Sequence, residues 1–179
     1  LENILKKNKV KCLYTMPYFN SSTGITYSNK KKERLLELAD KYDFYIIEDD
    51  YLSEFIYDEN IKYETLKYMD KNNRVIYIKS LSKSFMPGIR LGYMVIPKNL
   101  IEEMKMSKVN TDIATSSLMQ RTLDLYIKKG YLQEYINLKN MKYKENYFLF
   151  KELADLYLKN KQIIKLKFFN YTVDKSIKL

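Results

Sequence analysis

A lysine and an arginine stand close together in one short segment, and their side chains could act on the same ligand. The lysine is Lys83, preceded by Ser80 and Ser82, and Arg90 follows it seven residues later. A lysine amine forms a Schiff base with a carbonyl group, and a guanidinium binds phosphate through two parallel hydrogen bonds. The two serines add hydroxyl donors. This combination suits a cofactor that is both an aldehyde and a phosphate ester.

The composition gives Arg90 additional weight. Only four of the 32 Lys and Arg residues are arginine. A chain that prefers lysine so strongly is expected to place arginine where a planar, two-pronged donor is needed. The apolar run 75–78 just before the segment predicts a buried strand. Lys83 should therefore lie just past the carboxyl end of a strand, where open α/β sheets bind ligands.

A second apolar run, 44–47, ends abruptly in the three acids Glu48, Asp49 and Asp50, followed by Tyr51. This pattern is typical of a buried parallel strand with functional residues at its carboxyl end. We interpret Asp49 as a carboxylate facing a pyridinium nitrogen, which would keep the ring protonated. The alternatives are a divalent cation site or the start of a solvated loop. Tyr51 could donate to a phenolate oxygen, whereas Glu48 and Asp50 have no assigned role.

Together these residues resemble the fold-type-I enzymes that use pyridoxal 5′-phosphate (PLP), the aminotransferase class I and II group. The resemblance implies that Lys83 is the Schiff-base lysine and that Ser80, Ser82 and Arg90 hold the cofactor phosphate. It also implies that Asp49 is the carboxylate that contacts the pyridine nitrogen. It implies an α/β fold, namely an aminotransferase-like PLP-dependent large domain with a mostly parallel sheet flanked by helices.

In the same group, Tyr51 would donate to the ring oxygen. That oxygen usually also accepts a hydrogen bond from the asparagine of an Asn-Pro-Thr-Gly turn. Here Ser21 stands at the asparagine position, and Asn20 lies one residue earlier. Asn20 or Ser21 could take over the contact, or the segment is an ordinary turn.

Two branches of the group compete. Residues 48–55 are most similar to the aminotransferase-like domain of MocR-type regulators, a branch of the GntR transcription factors. Residues 116–121 with Gly130 resemble both that branch and the 2-aminoadipate and kynurenine aminotransferases. The chain is thus expected to be either the effector domain of a regulator that senses an amino acid or a pyridoxal vitamer, or a free-standing aminotransferase. A third hypothesis is a degenerate domain that holds no cofactor.

Composition bounds the remaining possibilities. The chain has 179 residues and a net charge of 32 − 22 = +10, with lysines spread along it rather than clustered, which indicates mainly a solvated face. Histidine is absent, which excludes Ser-His-Asp and Cys-His catalysis and argues against a transition-metal site. The single Cys12 is expected to be a small core residue. No transmembrane run or signal peptide is found, so the expected compartment is the cytoplasm, without membrane partners.

The elements that would position the site follow a β-α-β order. Residues 10–16, 44–47, 74–79 and 90–96 are predicted strands, and Ser28 is a predicted N-cap for a helix that continues to Tyr42. Residues 52–73 have no regular pattern. Helices are predicted near 98–109, 114–129 and 131–158, and residues 161–169 alternate weakly like a strand.

The resemblance also implies a domain organisation. Residues 1–110 would be part of the PLP-binding large domain, residues 111–160 a helical segment that links the two lobes, and residues 161–179 the start of a small domain. Because the group is about twice as long, the chain is expected to be a fragment. The intact protein is expected to be a homodimer that binds an amino acid, and to contact DNA only through a domain outside this chain.

Overall fold

The computed structural model of the protein describes residues 1–20, 23–55, 62–112, 114–158, 167–168 and 171–172. Its centre is a four-stranded sheet in the order β1-β2-β3-β4. The strands are β1 (Cys12–Thr15), β2 (Tyr45–Asp50), β3 (Val75–Ser80) and β4 (Gly92–Val95). The first three are parallel, and β4 is antiparallel to β3. The predicted mostly parallel α/β sheet is therefore confirmed, with one antiparallel strand at its edge.

Helix α2 (Asn29–Lys41) connects β1 to β2 and covers one face of the sheet. It begins where the sequence predicts, because the Ser28 hydroxyl accepts a hydrogen bond from the amide of Lys31. Its buried apolar residues belong to a core cluster with the sheet and with Leu5 of the short helix α1 (Glu2–Leu5). The members of this cluster are Leu5, Leu35, Leu38, Ala39, Phe44, Ile46, Leu66 and Val75.

Helices α4 (Ile101–Thr111), α5 (Ser117–Lys128) and α6 (Tyr131–Leu158) follow the sheet. Helix α5 packs on the segment between β3 and β4, where Phe85, Ile89 and Leu91 are buried against Met119 and Leu123. Met119, Leu123 and Tyr126, which lie on one face of α5, thus fix the position of the lysine-containing turn. The predicted helices 114–129 and 131–158 agree with α5 and α6.

Helix α6 contacts the sheet through the short 3₁₀ turn Ser53–Phe55 that follows β2. The Asn140 amide donates to the carbonyl of Glu54 at 2.8 Å. The rings of Phe55 and Tyr143 meet edge to face, with centroids 5.3 Å apart. Many apolar residues of α6 remain exposed, including Leu138 and Phe148. Among the described residues, no helix has the length and apolar character needed to cross a bilayer.

The structure corrects two expectations. Residues 52–73 are not irregular throughout, because they contain the 3₁₀ turn Ser53–Phe55 and helix α3 (Leu66–Met69). These elements are too short to show hydrophobic periodicity. Cys12 is exposed rather than a core residue, since β1 is an edge strand of the sheet. Most of the weakly alternating stretch 161–169 lies outside the described residues, although Lys167–Phe168 pairs antiparallel with Tyr171–Thr172.

Candidate functional site

The carboxyl ends of β1, β2 and β3 meet at one edge of the sheet, because the three strands are parallel. Asp49 pairs with Ile78 in the register between β2 and β3. Lys83 follows the end of β3 by three residues. The amino end of the antiparallel strand β4 lies at the same edge, because Ser80 pairs with Gly92. We call the group of Asp49, Tyr51, Ser80, Ser82, Lys83 and Arg90 the strand-end site.

Lys83 and Arg90 lie on two limbs of one turn. The pairing of β3 with β4 extends past the strands, because the amide of Leu81 donates to the carbonyl of Leu91 at 3.1 Å. On the first limb, the Ser80 hydroxyl accepts from the amide of Ser82 at 3.3 Å. The buried residues of the turn hold both limbs against α5. The sequence expectation that these residues lie together at a strand end agrees with this arrangement.

Arg90 has a left-handed backbone, with φ of 51° and ψ of 36°. Such a conformation is costly for a residue other than glycine and persists only where the surrounding structure imposes it. Arg34 and Arg74 form ion pairs with acidic residues, whereas within the described part of the chain neither Arg90 nor Lys83 pairs with a carboxylate. Both side chains are exposed. The turn thus presents two cations that are open to an anionic ligand.

Asp49 receives a hydrogen bond from a residue that sequence reasoning missed. The hydroxyl of Tyr14, on β1, donates to Oδ2 of Asp49, on β2. Partial burial raises the pKa of Tyr14 to about 12, and the hydrogen bond to Asp49 acts in the same direction. Tyr14 is nevertheless 56% exposed. Only the pairing of the two strands could have revealed this contact.

The loop after β1 also reaches the site. Tyr51 donates to the carbonyl of Phe19 at 3.3 Å, and Phe19 has a left-handed φ of 48°. The side-chain oxygen of Asn20 accepts from the amide of Thr23 at 3.1 Å and from its hydroxyl at 3.0 Å, which closes the turn. Ser21, the other candidate for the missing asparagine, lies outside the described residues. Asn20 is therefore the neighbour of the residue that Tyr51 contacts, and its side-chain oxygen accepts hydrogen bonds within the turn.

Glu48 supports the sheet rather than the strand-end site. Its two carboxylate oxygens accept from the amides of Leu66 and Lys67, at 2.7 and 2.8 Å, at the beginning of α3. Helix N-termini favour such an anion. Burial raises the pKa of Glu48 to about 7, against the opposing effect of these two hydrogen bonds. Lys32, also buried, donates to Tyr18 and to the carbonyl of Glu64.

Asp50 and Lys79 form a buried ion pair, with 3.3 Å between Nζ and Oδ1. Lys79 also contacts the carboxylate of Glu54 at 2.7 Å. Asp50 accepts further hydrogen bonds from Ser53, Tyr63 and Tyr77. Although burial acts to raise the pKa of Asp50, the charge of Lys79 and these hydrogen bonds hold it below its ordinary value. This network fixes the 3₁₀ turn on which α6 packs.

The strand-end site can hold an anion and bond to a carbonyl group. It combines an amine, a guanidinium and two hydroxyls on one turn with a carboxylate on the neighbouring strand. In the described ranges, no group of three or more acidic, cysteine or histidine side chains is placed to hold a metal ion. The alternative that the acids 48–50 form a cation site is not supported there, because Glu48 and Asp50 are engaged in separate contacts.

Similarity to known proteins identifies the family to which the chain is related. A family model described as aminotransferase class I and II matches residues 1–163. The chain is 38% identical over 130 residues to the uncharacterised HTH-type transcriptional regulator YcxD of Bacillus subtilis, which covers 73% of this chain and 29% of that protein. It is 37% identical over 129 residues to aromatic-amino-acid aminotransferase 1 of Thermococcus litoralis, covering 72% of this chain and 30% of that protein.

Solved structures give the same family likeness. The crystal structure of Pyrococcus horikoshii kynurenine aminotransferase, in complex with PMP, matches with a TM-score of 0.80 and 34% identity. The match covers 86% of this chain and 39% of that one. The chain thus spans about a third of the length of the proteins it matches, since the shares covered are 29%, 30% and 39%.

Proposed function

The chain belongs to the aminotransferase class I and II family, and on that premise we propose that its strand-end site binds PLP, with Lys83 as the residue that bonds to the cofactor. The observation that carries this proposal is the placement of Lys83 and Arg90 on one turn beside the carboxyl end of β2. The donors present there fit the group. PLP needs an amine for its aldehyde, cations and hydroxyls for its phosphate, and a carboxylate for its ring nitrogen.

Each residue of the site then has a defined task. Arg90, Ser80 and Ser82 bind the phosphate, and Asp49 keeps a proton on the pyridine nitrogen. When bound, PLP supplies a carbonyl carbon for amino groups and a ring that accepts electrons. The Nζ atom of Lys83 holds the cofactor and, once released, can move the proton of the amino acid Cα.

Tyr51 orients the ring through its hydroxyl. Its present acceptor is the carbonyl of Phe19, so it is already held at the edge of the sheet. Asn20 is our candidate to assist it, together with Ser21.

Covalent trapping tests the site directly. The full-length protein is titrated with PLP, reduced with borohydride and digested, and the modified lysine is located by mass spectrometry. We expect the label on Lys83 and its loss in Lys83→Ala. Lys71→Ala is the matched control, because Lys71 is also exposed but lies in the loop before the other end of β3. No label, or a label on a different lysine, would favour a cofactor-free domain.

We further propose that the chain is the effector domain of a MocR/GntR-type transcription regulator that senses an amino acid or a pyridoxal vitamer. The similarity of residues 48–55 to that branch supports this proposal, as does the identity to the regulator YcxD. DNA would be bound by a domain outside this chain. In this arrangement residues 1–110 belong to the large domain, 111–160 link the lobes and 161–179 begin the small domain.

A free-standing aminotransferase is the second candidate, favoured by the identity to the Thermococcus litoralis enzyme. Two assays on the PLP-loaded full-length protein separate the candidates. A regulator should bind promoter DNA with an affinity that changes when amino acid or PLP is added. An enzyme should convert an amino acid and a 2-oxo acid through many turnovers. Steady turnover without DNA binding would refute the regulator proposal.

We also propose that the full-length protein is a homodimer, as expected for this family. Multi-angle light scattering measures its mass directly. A monomer at micromolar concentration would contradict the proposal.

A further inference from the structure

The contact between Tyr14 and Asp49 crosses from the edge strand β1 to its neighbour β2. Tyr14 pairs with Ile47 in the strand register, so Asp49 lies two residues further along β2 and on the same face of the sheet. A tyrosine side chain is long enough to span this diagonal. Its hydroxyl donates to Oδ2 of Asp49.

Core packing does not account for Tyr14. The side chain is 56% exposed, and it is not a member of either buried cluster. Among the residues that the structure describes, Asp49 makes no hydrogen bond with any side chain except Tyr14. The phenol therefore holds one carboxylate oxygen and leaves the other, Oδ1, for a further donor.

We propose that Tyr14 is a positioning residue for the cofactor: its hydroxyl holds Oδ2 of Asp49, so that Oδ1 would accept a hydrogen bond from the protonated pyridine nitrogen. This inference rests on the proposed function and names a residue that the sequence motifs do not contain. Because the pKa of Tyr14 is raised to about 12, the phenol remains a donor over the whole range in which the protein would work. Loss of the hydroxyl would allow the Asp49 carboxylate to rotate and weaken its contact with the ring nitrogen.

The variant Tyr14→Phe removes the hydroxyl and keeps the ring. Its effect is measured on protein loaded with ¹⁵N-labelled PLP, by following the chemical shift of the pyridine nitrogen with pH. We expect the nitrogen to lose its proton about half to one pH unit lower than in the wild type, as expected for one net hydrogen bond. The dissociation constant of PLP should rise about two- to tenfold for the same reason.

Two controls separate positioning from simple stabilisation. Tyr68→Phe removes a hydroxyl from a tyrosine that is 79% exposed, and it should leave both measurements unchanged. In an Asp49→Asn background, Tyr14→Phe should have no further effect on the nitrogen shift, because it acts through the carboxylate. A purely structural role would lower the thermal stability of Tyr14→Phe without changing the nitrogen shift.

The outcomes distinguish this inference from the proposal on which it rests. If borohydride labels Lys83 but Tyr14→Phe and Tyr68→Phe give the same nitrogen shifts, the positioning role is wrong and the proposed function stands. If the wild-type protein takes no label at Lys83, the proposed function fails and the inference fails with it. An effect of Tyr14→Phe that persists in Asp49→Asn would also overturn the role, because it would not pass through Asp49.

Discussion

Glu48→Gln should remove most of the pH dependence of folding stability between pH 5 and 8. Glu48 is 1% exposed, and burial raises its pKa from 4.5 to about 7 in the folded protein. The folded state therefore keeps a proton that the unfolded state has lost. Below about pH 4.5 Glu48 does not change the free energy of unfolding. This free energy falls as the pH rises towards 7, and above that value the whole contribution of Glu48 has been lost.

The magnitude follows from the two pKa values. The difference between 4.5 and about 7, at about 1.4 kcal/mol per unit, is about 3 kcal/mol at pH 8. Because the chain contains no histidine, few other groups titrate in this window. Glutamine cannot ionise, but its amide can accept only one of the two backbone hydrogen bonds from Leu66 and Lys67. We expect Glu48→Gln to be less stable than the wild type at pH 5 and to lose that disadvantage towards pH 8.

Urea unfolding followed by circular dichroism at several pH values measures the effect. The difference in unfolding free energy between wild type and Glu48→Gln should change by about 2–3 kcal/mol between pH 5 and 8. Glu33→Gln, an exposed acid on α2, should follow the wild-type curve. Parallel curves for wild type and Glu48→Gln would refute the reasoning, because they would mean that Glu48 titrates alike in the folded and unfolded states.

Three further substitutions test the contacts around the site. Lys79→Met leaves Asp50 and Glu54 without their shared cation, and it should lower the unfolding free energy by about 3–5 kcal/mol in urea. Gly92→Ala adds a Cβ 2.7 Å from the carbonyl oxygen of Lys79, and the resulting strain should cost about 1–3 kcal/mol in the same assay. Arg90→Lys keeps the charge but loses the two-pronged donor, so PLP binding measured by titration should weaken by about 1–3 kcal/mol.

Each of these substitutions has a matched control. Lys71→Met changes an exposed lysine, Gly88→Ala adds a Cβ with no atom within 4 Å, and Arg121→Lys changes an exposed arginine on α5. All three controls should stay within about 0.5 kcal/mol of the wild type. If a test substitution and its control have equal effects, the contact removed by the test substitution does not contribute to the measured stability or binding.

The sequence alone predicted the parts of the fold that depend on local patterns. The Ser28 cap and the apolar face of α2 determined that helix, and two apolar runs determined β2 and β3. Because each run ends in polar residues, the sequence also placed Asp49 and Lys83 at strand ends; in the structure Asp49 lies within the carboxyl end of β2, which runs to Asp50, and Lys83 lies three residues past β3. Parallel pairing of β2 and β3 then brings those ends to one edge. The likeness to the aminotransferase family could be stated from these motifs, and the family match supports it.

The tertiary structure decided the contacts between residues far apart in the chain. The donor for Asp49 is Tyr14, 35 residues away. Glu48 meets the amide of Leu66, 18 residues away, and Lys79 meets Glu54, 25 residues away. Nothing in the local pattern marks these residues, since an acid at a strand end or a lysine in a strand is compatible with solvent. Strand register and the path of the intervening loops bring them together, and both depend on packing of the whole chain.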